Sequence, residues 1–197
     1  MTPTEPSPLR TRLRSIGAGM TVILALLAAM WTLEIIDLLP GTPFDSWGVR
    51  PRSLEQWWGI LAHPLLHGGF GHLIGNSTAL LLLGPLVALG GIRRLIAVTV
   101  LSALGSGVVI WIIGNPNSVH IGASGVVFGF IGHLLSYGLI ARRPLWIVAG
   151  VLVALLYGGS IITGILPTDQ FSWEGHLGGM IGGVIAAIAL RSYSRDD

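Results

Sequence analysis

The sequence predicts an all-α membrane protein, a bundle of six transmembrane helices. Hydrophobic residues make up 52% of the 197-residue chain and charged residues only 10%, whereas a soluble domain carries about 25% charged residues. Apolar stretches that reach the length needed to cross a bilayer, about 20 residues, occur six times. The predicted spans are residues 16–37, 70–90, 95–114, 122–140, 144–165 and 173–190.

Composition also bounds the organisation of the chain. We expect one six-span domain, residues 16–191, between an N-terminal tail, residues 1–15, and a C-terminal tail, residues 192–197. The chain has no cysteine, which excludes disulfides, thiolate metal sites and cysteine nucleophiles. No basic stripe is interleaved with aromatic residues, so we expect no nucleic-acid partner.

The basic residues, all of them arginine, indicate the orientation of the spans. With six crossings, nine of the 11 fall on one side of the membrane, and the positive-inside rule makes that side cytoplasmic. Both tails would then be cytoplasmic, and the compact form without further domains favours a multi-pass protein of a bacterial cell membrane. The nine residues are Arg10, Arg12, Arg14, Arg93, Arg94, Arg142, Arg143, Arg191 and Arg195.

The connection between the first two spans, residues 39–69, is long for so short a chain. It combines Trp47, Trp57 and Trp58 with acidic and basic side chains. Indole rings and charges together suit the headgroup region of a bilayer. We therefore predict a partly helical loop that lies in the outer membrane interface.

Polar residues in or beside the spans are candidates for function, because they are costly in lipid. The stretch HPLLHGGFGHLIGN contains His63, His67, His72 and Asn76. His63 and His67 are four residues apart, as are His72 and Asn76, so each pair shares a face if its segment is helical. Taken singly, each side chain could instead hydrogen-bond to a neighbouring helix.

Two further polar residues stand at the beginning of later spans. Ser124 lies in the stretch GASG, where close packing of two helices is the alternative explanation for a small residue. His176 lies in WEGHLGGMIGG, in which glycines recur at intervals of four, at Gly175, Gly179 and Gly183. Such glycines form a flat strip on which a partner helix can lie, and His176 would face that helix.

The predicted topology brings these residues to one depth. Spans 2, 4 and 6 run in the same direction, so His72, Asn76, Ser124 and His176 all fall near the outer ends of their helices. Together they support acyl transfer. His176 could take the Ser124 proton and return it to the leaving amine, while His72, Asn76 and the Ser124 backbone N–H could donate to the oxyanion.

This interpretation includes neither a catalytic carboxylate nor a metal ion. Glu174 points to a different face of its helix from His176, and Asp169 lies in the preceding loop, so we expect a Ser-His dyad without a third member. We expect no metal and no cofactor, because the H-E-x-x-H signature is absent. The alternative is a metal enzyme or carrier that would use His63, His67, His72 and His176.

Taken together, these motifs resemble those of the rhomboid family of intramembrane serine proteases. The family's spaced histidines with a following asparagine match His63, His67, His72 and Asn76; its G-x-S-G element matches residues 122–125; its histidine with trailing G-x-x-x-G matches His176, Gly179 and Gly183. The match covers spans 2 to 6 and implies a six-span bundle of rhomboid type.

The resemblance implies a role for each matching residue. Ser124 would be the nucleophile and His176 the base, with His72, Asn76 and Ser124 forming the oxyanion hole. Phe128 occupies the position at which the family usually has a tyrosine stacked on the catalytic histidine, although a plain core aromatic is the competing view. Site-supporting residues would be His67, Phe128, Gly122, Gly179 and Gly183.

The resemblance also implies the substrates. Family members cleave transmembrane proteins near the outer face, where a substrate helix unwinds and exposes its backbone, so the partners would be such proteins and the lipid bilayer. Residues 164–172 would form a lid over the site. One departure concerns the first loop, where Trp58 is followed by Gly59 in place of the family's usual arginine, which is implied to be structural.

A second function and two further histidines complete the expectations. The alternative function is a catalytically inactive rhomboid-like protein that binds transmembrane helices, and the presence of both Ser124 and His176 favours the protease. We expect His133 to make a hydrogen bond between helices. His120, which precedes the GASG stretch, is expected to be solvated in an exposed loop.

Overall fold

Helices form along the apolar runs of the chain, of which a computed structural model describes residues 8–167 and 171–191. No β-strand occurs in this part of the chain. Residues 1–7 of the predicted N-terminal tail, the whole predicted C-terminal tail with Arg195, and the loop residue Asp169 lie outside the described residues. The helices are α1 (Pro8–Asp37), α2 (Gly59–Ala62), α3 (Phe70–Ala88), α4 (Ile92–Ile113), α5 (Ser124–Ala141), α6 (Pro144–Ile165) and α7 (Trp173–Ala189).

Five helical segments in the described ranges are long and apolar enough to cross a membrane: Leu13–Asp37 within α1, and α3, α4, α5 and α6. They confirm the predicted all-α membrane bundle, because in lipid a helix satisfies its own backbone hydrogen bonds. Helix α7 has 17 residues, a length of about 25 Å at 1.5 Å per residue. Its crossing as a sixth span therefore stays a prediction.

Three helices begin at other residues than predicted. Helix α1 starts at Pro8, well before residue 16, because no helix-breaking residue separates the arginine-rich segment from the apolar run. Helix α4 starts directly after Gly91, which has φ +97°. Helix α5 starts at Ser124 and not at residue 122, because Gly122 has φ +117° and such a left-handed backbone cannot belong to an α-helix.

Helix α7 lies between α4 and α5 and uses glycine on both of its sides. Gly179 and Gly183 face α5, where added side chains would overlap that helix's backbone. Gly178 and Gly182 face α4 in the same way. Of the predicted glycine strip, Gly179 and Gly183 share the side toward α5, whereas Gly175 lies toward Ser106 and Ile110 of α4. The backbones of the three helices approach one another as closely as glycine permits.

The loop between α1 and α3 is irregular, apart from α2 and two 3₁₀ turns at Phe44–Trp47 and His63–Leu65. Trp57 is 59% exposed, as a residue at a membrane interface would be. Arg52 donates hydrogen bonds to the carbonyls of Ile112 and Gly114, both at 2.9 Å. Arg52 therefore holds the loop against the end of α4. The position after Trp58, where a structural arginine would be expected, is Gly59.

Arg94 was predicted to lie in the loop between spans 2 and 3, and the structure places it inside a helix. It lies in the first turn of α4 and is 2% exposed. Its guanidinium carbon is 3.8 Å from the centroid of the Tyr137 ring and 5.3 Å from that of Trp146. Cation–π contact with two rings replaces part of the hydration that burial removes.

The hydrogen bond expected between His133 and another helix stays a prediction. His133 is fully buried, and neither of its ring nitrogens has a hydrogen-bond partner among the described residues. Its ring stacks instead on Tyr137, with the centroids 5.2 Å apart. The backbone of Gly183 on α7 also interacts with the ring.

Candidate active site

Ser124 and His176 meet at the contact between α5 and α7. Ser124 is the first residue of α5, and His176 lies in the first turn of α7. The Ser124 Oγ and His176 Nε2 atoms are 3.0 Å apart, which is hydrogen-bond distance. The glycine contact one turn further along α7, at Gly179, lets the two backbones come close enough for these side chains to touch.

The surroundings of His176 fix which nitrogen carries the proton. Its Nδ1 atom is 2.8 Å from the carbonyl oxygen of Gly164, and a carbonyl can only accept a hydrogen bond, so Nδ1 carries the hydrogen. The neutral ring then has an unprotonated Nε2, which accepts from the Ser124 hydroxyl. Phe128 stacks on the ring, with centroids 4.1 Å apart and planes 3° apart, and holds its orientation.

Beside Ser124, the backbone of Gly122 forms one wall of a polar recess. A Cβ atom on Gly122 would lie 2.7 Å from His72 Nε2 and 3.6 Å from Asn76 Nδ2, so the two side chains point at the same place. The Nδ2 atom of Asn76 is buried without a hydrogen-bond partner in the described chain. An amide donor left in this way is available to an incoming acceptor.

The first two histidines of the motif hold the segment before Ser124 in place. The carbonyl of His63 accepts a hydrogen bond from the Gly122 N–H at 2.8 Å, and His67 Nε2 accepts one from the Ala123 N–H at 3.4 Å. Burial lowers the pKa of both His63 and His67 to about 4. Both rings are therefore neutral near pH 7, as an accepting nitrogen requires.

A cavity of about 930 Å³ connects these groups. Its wall includes His72, Asn76, Ser124 and His176, so the four residues that the sequence placed at one depth share one open space. The cavity continues between α3 and α6, where Ala79 of α3 and Tyr157 of α6 line it, and it also borders Ile131 of α5.

Two expectations about the neighbouring loops need correction. His120 is not simply solvated, because its Nδ1 lies 2.7 Å from Ser172 Oγ and its Nε2 lies 2.7 Å from Ser118 Oγ. Of the predicted lid, residues 164 and 165 belong to α6, and residues 168–170 lie outside the described residues. Nothing in the sequence marked His120, since its partner on the other side of the cavity is 52 residues away.

The alternative of a metal site finds no ligand set in the described part of the chain, where no three histidine or acidic side chains could hold an ion together. His63 in particular points away from the cavity. Its Nε2 atom lies 3.2 Å from Ser106 Oγ, and its Nδ1 atom lies 3.0 Å from the carbonyl of Ile60.

Comparison with known proteins gives one family. A model of the Rhomboid domain matches residues 54–193. An uncharacterized protein of Mycobacterium tuberculosis is 38% identical over 202 residues, covering 98% of this chain and 84% of that protein. One of Mycobacterium leprae is 39% identical and covers 93% and 76%. The rhomboid protease GluP of Bacillus subtilis is 29% identical over 74% of this chain and 29% of its own length.

Proposed function

Because this chain belongs to the rhomboid family, we propose that it is an intramembrane serine endopeptidase with Ser124 and His176 as its catalytic dyad. The observation that carries the proposal is the 3.0 Å contact between Ser124 Oγ and His176 Nε2. The Gly164 carbonyl on the opposite nitrogen leaves Nε2 as the basic atom, a task that a carboxylate performs in catalytic triads.

The reaction follows from this proton arrangement. Ser124 Oγ attacks the carbonyl carbon of the scissile peptide bond while its proton passes to His176 Nε2. The tetrahedral intermediate collapses, the C–N bond breaks, and the amine leaves with the proton from Nε2. A water molecule then gives its proton to Nε2 and attacks the acyl-enzyme ester. Collapse of the second intermediate releases the carboxylic acid, and Ser124 Oγ takes the proton back.

The oxyanion of each intermediate would lie in the recess beside Gly122. Its donors would be the side chains of His72 and Asn76 and the N–H of Ser124, which belongs to a first helical turn whose N–H groups have no partner within the helix. The unpartnered Nδ2 of Asn76 supports this role. The small size of Gly122 does so as well, because any side chain there would fill the recess.

The substrates would be transmembrane proteins that reach the dyad from the membrane. The cavity runs from Ser124 between α3 and α6, so an extended segment of a substrate could enter laterally. A peptide bond inside an intact helix is shielded, so the substrate must unwind near the cleavage site. The distribution of arginines favours a site near the outer face, with both termini cytoplasmic.

The test is labelling with a fluorophosphonate, which reacts with an activated serine. We expect the parent protein and Ser160→Ala to be labelled, and Ser124→Ala to remain unlabelled. Ser160 is the matched control because it lines the same cavity on α6 and is exposed there. Labelling that survives in Ser124→Ala would refute the proposed nucleophile. A folded parent that neither reacts with the probe nor cleaves a transmembrane reporter would favour an inactive helix-binding member of the family.

Asn76→Ala should lower kcat by about a hundredfold with little change in KM, because loss of one oxyanion donor removes about 3 kcal/mol from the transition state only. Steady-state cleavage of a fluorescent transmembrane reporter in detergent measures both constants. The control on the same helix is Thr78→Ala, whose exposed hydroxyl donates to the carbonyl of Ile74 within the helix. Equal kcat values for the two variants would remove Asn76 from the oxyanion hole.

A further inference from the structure

His120 is a histidine at the cavity that the proposed reaction does not use. It lies in the loop between α4 and α5, four residues before Ser124. Both backbone groups of His120 are hydrogen-bonded to Val49. The Val49 N–H donates to the His120 carbonyl at 2.9 Å, and the His120 N–H donates to the Val49 carbonyl at 3.0 Å. The ring therefore extends from a fixed point toward the beginning of α7.

Hydrogen bonds around the ring determine its tautomer. The Ser118 hydroxyl donates its hydrogen to the carbonyl of Asn115 at 2.7 Å, so its oxygen must accept from His120 Nε2 at 2.7 Å. With the hydrogen on Nε2, the neutral ring has an accepting Nδ1, which receives the hydroxyl hydrogen of Ser172 at 2.7 Å. Burial lowers the pKa of His120, with Glu174 acting in the opposite direction.

Ser172 connects this chain of hydrogen bonds to the dyad. It immediately precedes α7, and its carbonyl accepts the backbone N–H of His176 at 3.1 Å. Its hydroxyl makes no capping bond to α7 and donates to His120 Nδ1 instead. One imidazole thus joins the segment that leads into Ser124 to the turn that carries His176.

We propose that His120 is a positioning residue which, through the hydroxyl of Ser172, fixes the first turn of α7 and with it the approach of His176 to Ser124. The inference rests on the proposed function, in which the distance between those two side chains governs proton transfer. A displacement of reacting groups by about 1 Å can cost a hundredfold in rate, so the loss of a single anchor in the loop should be measurable.

Two substitutions separate the two hydrogen bonds of the ring. In His120→Asn the side-chain oxygen can take the place of Nδ1 and accept from Ser172, whereas the bond to Ser118 is lost. In His120→Gln the amide nitrogen can take the place of Nε2 and donate to Ser118, whereas the bond to Ser172 is lost. His120→Asn should keep kcat within about twofold of the parent, and His120→Gln should lower it about tenfold with KM unchanged.

Ser172→Ala should lower kcat as much as His120→Gln, and the double variant should fall no further, because both changes remove one interaction. Equal kcat for His120→Gln and the parent, a loss in His120→Asn alone, or multiplied losses in the double variant would each overturn the proposal.

Hydrogen exchange gives a readout that does not depend on activity. The peptide covering residues 172–178 should exchange faster in His120→Gln and Ser172→Ala than in the parent or His120→Asn. If the parent neither reacts with the fluorophosphonate nor cleaves the reporter while this exchange pattern appears, the proposed function is refuted and the anchor stands. If the parent reacts but exchange is equal in all four proteins, the anchor is refuted and the proposed function stands.

Discussion

His176→Ala should reduce cleavage of a transmembrane reporter by about 10⁴-fold or more. Without an imidazole at 3.0 Å, the Ser124 hydroxyl keeps its proton and is a poor nucleophile, and the leaving amine has no acid to protonate it. Single-turnover cleavage and the second-order rate of fluorophosphonate labelling both measure the loss. They should fall together, because each requires the same activated hydroxyl.

A double variant provides the control for this prediction. When two residues act as one catalytic unit, removal of either one abolishes nearly all of the rate enhancement that they provide together. Ser124→Ala combined with His176→Ala should therefore be no slower than either single variant. Cleavage by His176→Ala within tenfold of the parent would mean that another group activates the serine. The thermal unfolding midpoint in detergent, measured for the two single variants and the double variant, establishes that all three are folded.

The four residues that the sequence placed at one depth line one cavity, because regular helices position them; their roles stay a prediction. His72, Asn76, Ser124 and His176 could be brought together because each stands near the start of a long apolar run, and runs of similar length place their ends at similar depths. What could not be predicted is the lateral arrangement of the helices. Their common cavity depends on the packing of α7 between α4 and α5, for which the glycine spacing indicated one partner helix and not two.

The predictions that were wrong concern residues whose partners come from distant parts of the chain. His120 was expected in solvent, because nothing near it in sequence shows that Ser172 meets its ring. Arg94 was counted as a loop residue, because charge patterning records the side of the membrane and not the aromatic rings that cover the guanidinium. In both cases tertiary contact overrides the default for a polar residue near a helix end.

The packing of α7 against two helices makes its glycines sensitive to substitution. Helices in lipid associate mainly through van der Waals contact and interhelical hydrogen bonds, so close approach of backbones is itself a source of stability. A side chain between two helices that nearly touch cannot be accommodated by rotation, because the obstacle is backbone. A substitution that forces α7 away from its neighbours should therefore displace His176 from Ser124 and destabilise the bundle at the same time.

Gly179→Ala is the substitution that tests this coupling. The added methyl group would overlap the carbonyl of Gly125 and lie 2.9 Å from its Cα atom, so α7 must move away from α5 and carry His176 away from Ser124. We expect about 2 kcal/mol of lost stability and at least a hundredfold lower kcat, measured by unfolding in detergent and by reporter cleavage. The matched control is Gly159→Ala on α6, where a Cβ atom meets nothing within 4 Å and where alanine should favour the helix slightly. If Gly179→Ala matched Gly159→Ala in both measurements, the close contact between α5 and α7 could not be what sets the geometry of the dyad.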